Sequence, residues 1–121
     1  METCRYLLCD LDARKHKNSL IEDAVRYIDL HYADPSLSLS DIAKGLFVNP
    51  SYLSRAFRRE MNMTVTEYIT TKRIDQAFML IMTGKYTRVS DVARMVGYSD
   101  SLYFSKTFKK VRGVPPSKYF E

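Results

Sequence analysis

The chain has 121 residues, 45% of them hydrophobic and 27% charged, enough apolar material for one domain, or two very small ones sharing a core, and too much for a disordered chain. Cys4 and Cys9 have no second pair and no histidine cluster beside them, so neither a disulfide framework nor a zinc site follows from them. The formal net charge is +5, and it is lopsided: nine Lys or Arg face nine Asp or Glu up to Glu60, but ten face five from Met61 onward, which favours a polyanionic partner such as nucleic acid.

Residues 1–17 mix charges and end in ARKHKN, a linker or the remnant of an upstream domain. They lack the basic region, apolar stretch and small-residue cleavage site of an export signal, so reduced thiols and a cytoplasmic location are expected. Asn18 or Ser19 can then cap a helix carrying Ile21, Val25, Ile28 and Leu30 to Tyr32 at helical spacing, which Asp34-Pro35 stops. Its outer face bears Glu22, Asp23 and Asp29 and is unsuited to a polyanion. His31 falls at the helix end, where it serves the dipole.

From Ser38 the sequence repeats. Ser40-Asp41-Ile42-Ala43 returns as Ser90-Asp91-Val92-Ala93, and Tyr52-Leu53-Ser54-Arg55-Ala56-Phe57-Arg58-Arg59 as Tyr103-Phe104-Ser105-Lys106-Thr107-Phe108-Lys109-Lys110, with one residue added in the turn between. A repeat whose insertion lies in a loop indicates two copies of one supersecondary unit. In the first copy Ser40 is expected to cap Asp41 to Leu46; Asn49 then caps and Pro50 opens a longer helix through Met61. Asn62 suits the left-handed position that ends this helix, as Gly113 does in the second copy. Two helices joined by so short a turn cross steeply, which is helix-turn-helix geometry.

Between the copies a helix begins at Thr64 or Thr66 and runs to about Thr83, with Gly84 as its stop. Tyr68, Ile69, Ile74, Ala77, Phe78, Leu80 and Ile81 wrap more than one side, so this helix packs against both repeats as a spacer. Its run AFMLIM, Ala77 to Met82, falls well short of the roughly 18 to 20 apolar residues of a membrane span. Met61, Met63, Met79 and Met82 are expected to fill core gaps. The division is therefore 18–63, 64–83 and 84–121 within one all-α domain over 18–121.

In the second long helix Tyr103, Phe104, Phe108 and Val111 are expected inward, leaving Ser101, Leu102, Ser105, Lys106 and Lys109 outward. In the first, Leu53, Ala56, Phe57 and Met61 face in, with Ser51, Ser54, Arg55, Arg58 and Arg59 out. Tyr52, Tyr68, Tyr103 and Tyr119 have repeat counterparts and are expected in or at the core. So is Tyr98, in the turn after Gly97. Ser101 to Arg112 carries four basic residues and no acid; small serines beside them let a backbone approach bases or phosphates, and Arg can fork onto guanine. No catalytic constellation is present: the histidines are isolated, the glycines stand alone, and Asp41, Asp91 and Asp100 sit at helix starts.

The run VSDVARMVGYSDSLYFSKTFKKVRGVPPSKYF, together with Tyr68, Arg73-Ile74 and Ala77, resembles the DNA-binding domain of the AraC/XylS family of bacterial transcription regulators over about Ser19 to Phe120. Asn62 stands where the family more often has glycine. The resemblance implies seven helices, with two helix-turn-helix subdomains bridged by a long linker helix. It also implies sequence-specific binding of double-stranded DNA through two recognition helices in successive major-groove segments. Carried over by position, Ser51, Ser54, Arg55, Ser101, Leu102, Ser105 and Lys106 are the base-reading candidates. Asn49, Arg58, Arg59, Arg88, Ser99, Lys109 and Ser117 are the phosphate candidates. RNA polymerase is the expected protein partner, with no cofactor, no metal and no membrane. The isolated domain is expected to be monomeric and a longer protein dimeric through an upstream domain. The alternative is a helix-turn-helix interaction module that reads no DNA.

Overall fold

A computed structural model describes residues 13–120, with side chains from residue 19 onward. Six α-helices follow in order, α1 Ala13–His31, α2 Leu39–Gly45, α3 Pro50–Met61, α4 Val65–Met82, α5 Val89–Met95 and α6 Ser101–Arg112, and a 3-10 helix, Pro116–Phe120, closes the chain. The expected seventh helix is thus a 3-10 turn. The readings for Cys4 and Cys9, and for the side chain of His16, lie outside the described residues.

Two expected helix starts are corrected. α1 already includes Asn18 and Ser19, so neither caps it; no glycine or proline interrupts the run from Ala13 to His31, and nothing local stops the helix there. α2 is capped by Ser38, not Ser40. Ser38 Oγ accepts from the Asp41 amide at 3.3 Å while the Asp41 carboxylate accepts from the Ser38 amide at 3.2 Å. That reciprocal box satisfies two otherwise unpaired amides, which a cap at Ser40 does not offer.

Two cores form, one per unit. Ile21, Ala24 and Ile28 of α1 pack with Ile42, Ala43, Leu53, Ala56 and Phe57. Val92, Ala93, Val96, Phe104 and Phe108 make the second core. Phe57 and Phe108, counterparts in the repeat, are both fully buried, and truncating either ring to alanine costs roughly 3 to 5 kcal/mol. Each also meets the next tyrosine edge-on: Phe57 on Tyr68 at 5.8 Å and Phe108 on Tyr119 at 6.0 Å between ring centroids. The repeat therefore extends past each helix-turn-helix into the element that follows it.

α4 divides its burial by length. Val65 and Ile69 belong to the first core, and Ile74, Ala77 and Ile81 to the second. Thr64 and Glu67 make the capping box at its start, and Gly84 turns left-handed beyond its end at φ 75°.

Several apolar side chains expected inside are exposed. Leu30 faces solvent on α1 and Met79 and Met82 on α4, as do Tyr52 on α3 and Tyr103 and Val111 on α6; Tyr119 is exposed despite its ring contacts. Tyr103 stands about 120° around the helix from the direction shared by Phe104 and Phe108 at 100° per residue, so it could not share their burial. Tyr98 is buried, as expected.

Candidate nucleic-acid interface

Both long helices begin in the same way. Asn49 Oδ1 accepts from the amides of Ser51 at 2.8 Å and Tyr52 at 3.3 Å. Asp100 Oδ1 accepts from Leu102 at 2.9 Å and Tyr103 at 3.2 Å. These side-chain caps fix where α3 and α6 start, and so the rotation of every residue after them. Both helices end left-handed as expected, at Asn62 with φ 61° and Gly113 with φ 92°.

The turns that lead in are also superposable in their bonding. The amide of Val48 donates to Ala43 O at 3.0 Å, and that of Tyr98 to Ala93 O at 2.8 Å. Phe47 and Gly97, one residue earlier, both have positive φ. The added residue in the second unit is therefore Ser99, between Tyr98 and the Asp100 cap.

The faces opposite the cores carry the candidates. Ser51 and Arg55 on α3 and Leu102 and Lys106 on α6 are exposed; Ser54, Ser101 and Ser105 are half-buried at the margins. Among the phosphate candidates, Asn49, Arg58, Arg59, Arg88, Ser99, Lys109 and Ser117 are all exposed. They do not share one face of one element: Ser117 stands on the 3-10 helix, and Arg88 precedes α5, where its Nε lies 3.6 Å from the Asp91 carboxylate.

Unpaired cations gather on these two helices, with Lys44, Lys85 and Lys118 the exposed unpaired ones elsewhere among the described residues. Arg55, Arg58 and Arg59 on α3 and Lys106, Lys109 and Lys110 on α6 make no ion pair among the described residues, while Arg26, Lys72, Arg88, Arg94 and Arg112 each lie beside an aspartate. Arg112 is the one cation of α6 turned away, stacked 3.8 Å over the Phe78 ring. Glu60 is the only acid within α3 or α6. These two helix faces thus hold uncompensated positive charge at repeat-related positions.

Beneath α6, Tyr98 is held by its neighbours. Its ring lies 5.4 Å from that of Phe104, and the Arg73 guanidinium sits 5.3 Å from its centre. Burial pushes its phenol above the ordinary tyrosine range, against the opposing pull of the Arg73 charge. Burial likewise raises Tyr68, aided by the Asp29 carboxylate. In the turn after α1 the Ser36 amide and hydroxyl lower the Asp34 carboxyl.

Three further candidates were not named from the sequence: Tyr52, Tyr103 and Lys110, all exposed beside the candidate faces. Placing each residue at 100° per step from the buried phenylalanines was the signal that could have found them. Among the described residues no group of three or more His, Cys, Asp or Glu could hold a metal, and no helix is long and apolar enough to cross a membrane.

Known proteins share this arrangement. A helix-turn-helix domain family matches residues 42–121. The chain is 36% identical over 102 residues to the arabinose operon regulatory protein of Salmonella typhimurium, covering 84% of this chain and 36% of that protein. It is 34% identical over 106 residues to the transcriptional regulatory protein YesN of Bacillus subtilis, covering 86% of this chain and 29% of that one. It therefore spans about a third of the length of these relatives. Among solved structures, the C-terminal domain of AraT, a response regulator from Geobacillus stearothermophilus, matches with a TM-score of 0.80 at 33% identity, covering 84% of this chain and 83% of that chain. With both long helices, α3 and α6, inside the matched span, the chain belongs to the AraC/XylS family of helix-turn-helix proteins.

Proposed function

We propose that this domain binds double-stranded DNA sequence-specifically as the DNA-reading part of a bacterial transcription regulator, with α3 and α6 entering successive major-groove segments. The observation that carries this is the set of six exposed, unpaired cations on the two recognition helices, at positions related by the repeat. Such charges gain by displacing counterions from phosphates, whereas solvated helix faces ordinarily interleave both signs.

The 18 residues of α4 span about 27 Å at 1.5 Å per residue, a separation of the order of the ~34 Å between major-groove segments on one side of B-DNA. Ser51, Ser54 and Arg55 then read bases in one segment, and Ser101, Leu102, Ser105 and Lys106 in the next; Leu102 suits a thymine methyl. Asn49, Arg58, Arg59, Ser99, Lys109 and Ser117 take phosphates, as does Arg88 once it leaves Asp91. The names of the relatives support a regulatory role, and to the same proposal belong a non-enzymatic action on RNA polymerase and a place in the cytoplasm. The isolated domain is monomeric, and dimerisation belongs to an upstream domain.

Fluorescence anisotropy on a cognate duplex and a scrambled one tests this. With the four cations Arg58, Arg59, Arg88 and Lys109 on phosphates, log K falls with log salt at a slope of about −3.6, and the cognate duplex binds at least about a thousandfold tighter. Equal, weak and salt-insensitive binding of both duplexes would leave the interaction-module reading in its place.

A further inference from the structure

A groove of about 550 Å³ opens between α6 and the N-terminal half of α4. Tyr103, Lys106, Thr107 and Lys110 line one wall, and Thr66, Thr70 and Thr71 stand on the other. Neither lysine has an ion-pair partner among the described residues, and the hydroxyls of Thr66, Thr71 and Thr107 make no hydrogen bond there. The one acid at its edge, Glu67, is turned to the start of α4, where its carboxylate accepts from the Thr64 amide at 2.9 Å.

The angular order on α6 says what this groove adjoins. Lys106 lies about 180° from the buried direction, at the crest of the exposed face; Leu102, Ser105 and Lys109 fall on one flank and Tyr103, Thr107 and Lys110 on the other. The first flank holds base and phosphate candidates already assigned. The second turns toward α4, and so toward the first unit. Lys106 belongs to both, which makes the groove continuous with the reading face.

We propose that this groove seats the sugar-phosphate strand of DNA that runs between the two major-groove segments, with Lys110 as its principal cationic contact and the Thr71 and Thr107 hydroxyls as neutral donors. The inference rests on the DNA-binding reading and extends it to a surface that Lys106, at its rim, is the one base-reading candidate to line. DNA held by α3 and α6 at once must pass its intervening minor groove, edged by two phosphate strands, in front of the linker helix. The groove offers that strand positive charge, hydroxyl donors and the Tyr103 ring as a wall. A phosphate there is contacted irrespective of sequence, so the site contributes to register and affinity, not to base preference.

The test uses a two-half-site duplex in which single phosphates are replaced, one position at a time, by neutral methylphosphonate. Binding by the wild-type chain and by Lys110→Gln is followed as a function of salt, with thermal melting as the check that the exposed substitution leaves the fold intact. Lys110→Gln is expected to lower the salt slope by about 0.9 on the unmodified duplex. One central position should lower the wild-type slope by the same amount and leave that of Lys110→Gln unchanged. The proposal is overturned if no central position distinguishes the two proteins, or if the position that does lies inside a half-site. Failure of the wild type to prefer the cognate duplex is a different result and removes the DNA-binding reading itself.

Discussion

Arg73, at the middle of α4, donates from Nε to the carbonyl oxygen of Tyr32 at 2.8 Å, and from a terminal nitrogen to that of Asp34 at 2.9 Å. One side chain of the linker thus ties the end of α1, in the first unit, to the turn of the second, where its guanidinium faces Tyr98. Gly97 completes the junction: a Cβ there would lie 2.7 Å from Tyr32 O and 2.9 Å from Arg73 Nε. The two helix-turn-helix units are held at a fixed angle by this contact as well as by the shared helix.

Arg73→Met keeps the length of the side chain and removes both bonds. It is expected to lower stability by about 1 to 3 kcal/mol in urea unfolding. It should also flatten the dependence of DNA affinity on half-site spacing, measured on duplexes with the spacer varied base pair by base pair. An unchanged spacing optimum would show that α4 alone sets the geometry.

Phe47 and Gly97 occupy the same turn position, yet substitution should act in opposite directions. Gly97→Ala adds a Cβ against backbone at a φ of 102°, and is expected to destabilise by about 2 kcal/mol or more. Phe47 is 93% exposed at a φ of 61°, so Phe47→Gly relieves left-handed strain with little packing lost and should be neutral to stabilising by about 1 kcal/mol. Chemical denaturation of the two variants checks this, and comparable losses would contradict it.

Arg88 stands where Ser38 caps α2, and α5 has no side-chain cap. Because Asp91 already occupies the partner position, Arg88→Ser should create the missing capping box and raise stability by about 1 kcal/mol. The same change should weaken cognate and scrambled DNA alike, since Arg88 is assigned to a phosphate. Melting temperature and anisotropy together separate the two effects.

Tyr98 gives a pH dependence with a defined sign. Its folded phenol is raised above the ordinary value of 10.0, so above that pH the unfolded chain has lost a proton the folded chain still holds. Its contribution is present in full below pH 10.0 and is lost as pH rises through the folded value. Between about pH 9 and about pH 11 the wild type should lose more stability than Tyr98→Phe, read by thermal melting. Parallel losses would mean the phenol is not held protonated.

The repeat made most of the fold legible, because Phe57 and Phe108, Asn62 and Gly113, and Asn49 and Asp100 perform the same local tasks in both copies. What stayed hidden depends on rotation or on tertiary approach. Tyr52 and Tyr103 look like core because they are aromatic and repeated, but their helical angle turns them outward. Ser40 and Ser38 are equally good caps in isolation, and the reciprocal bond with Asp41 selects Ser38. Arg73 reads as one more linker cation, since its two acceptors lie 41 and 39 residues away.

Selection from random duplexes tests the central claim most directly, run on the wild type and on Arg55→Ala. The account predicts two half-sites about one helical turn apart, roughly 10 base pairs, with Arg55→Ala relaxing preference at one base pair in one half-site and costing about 1 to 3 kcal/mol. A single half-site, or a wild-type pool without enriched sequence, would contradict it.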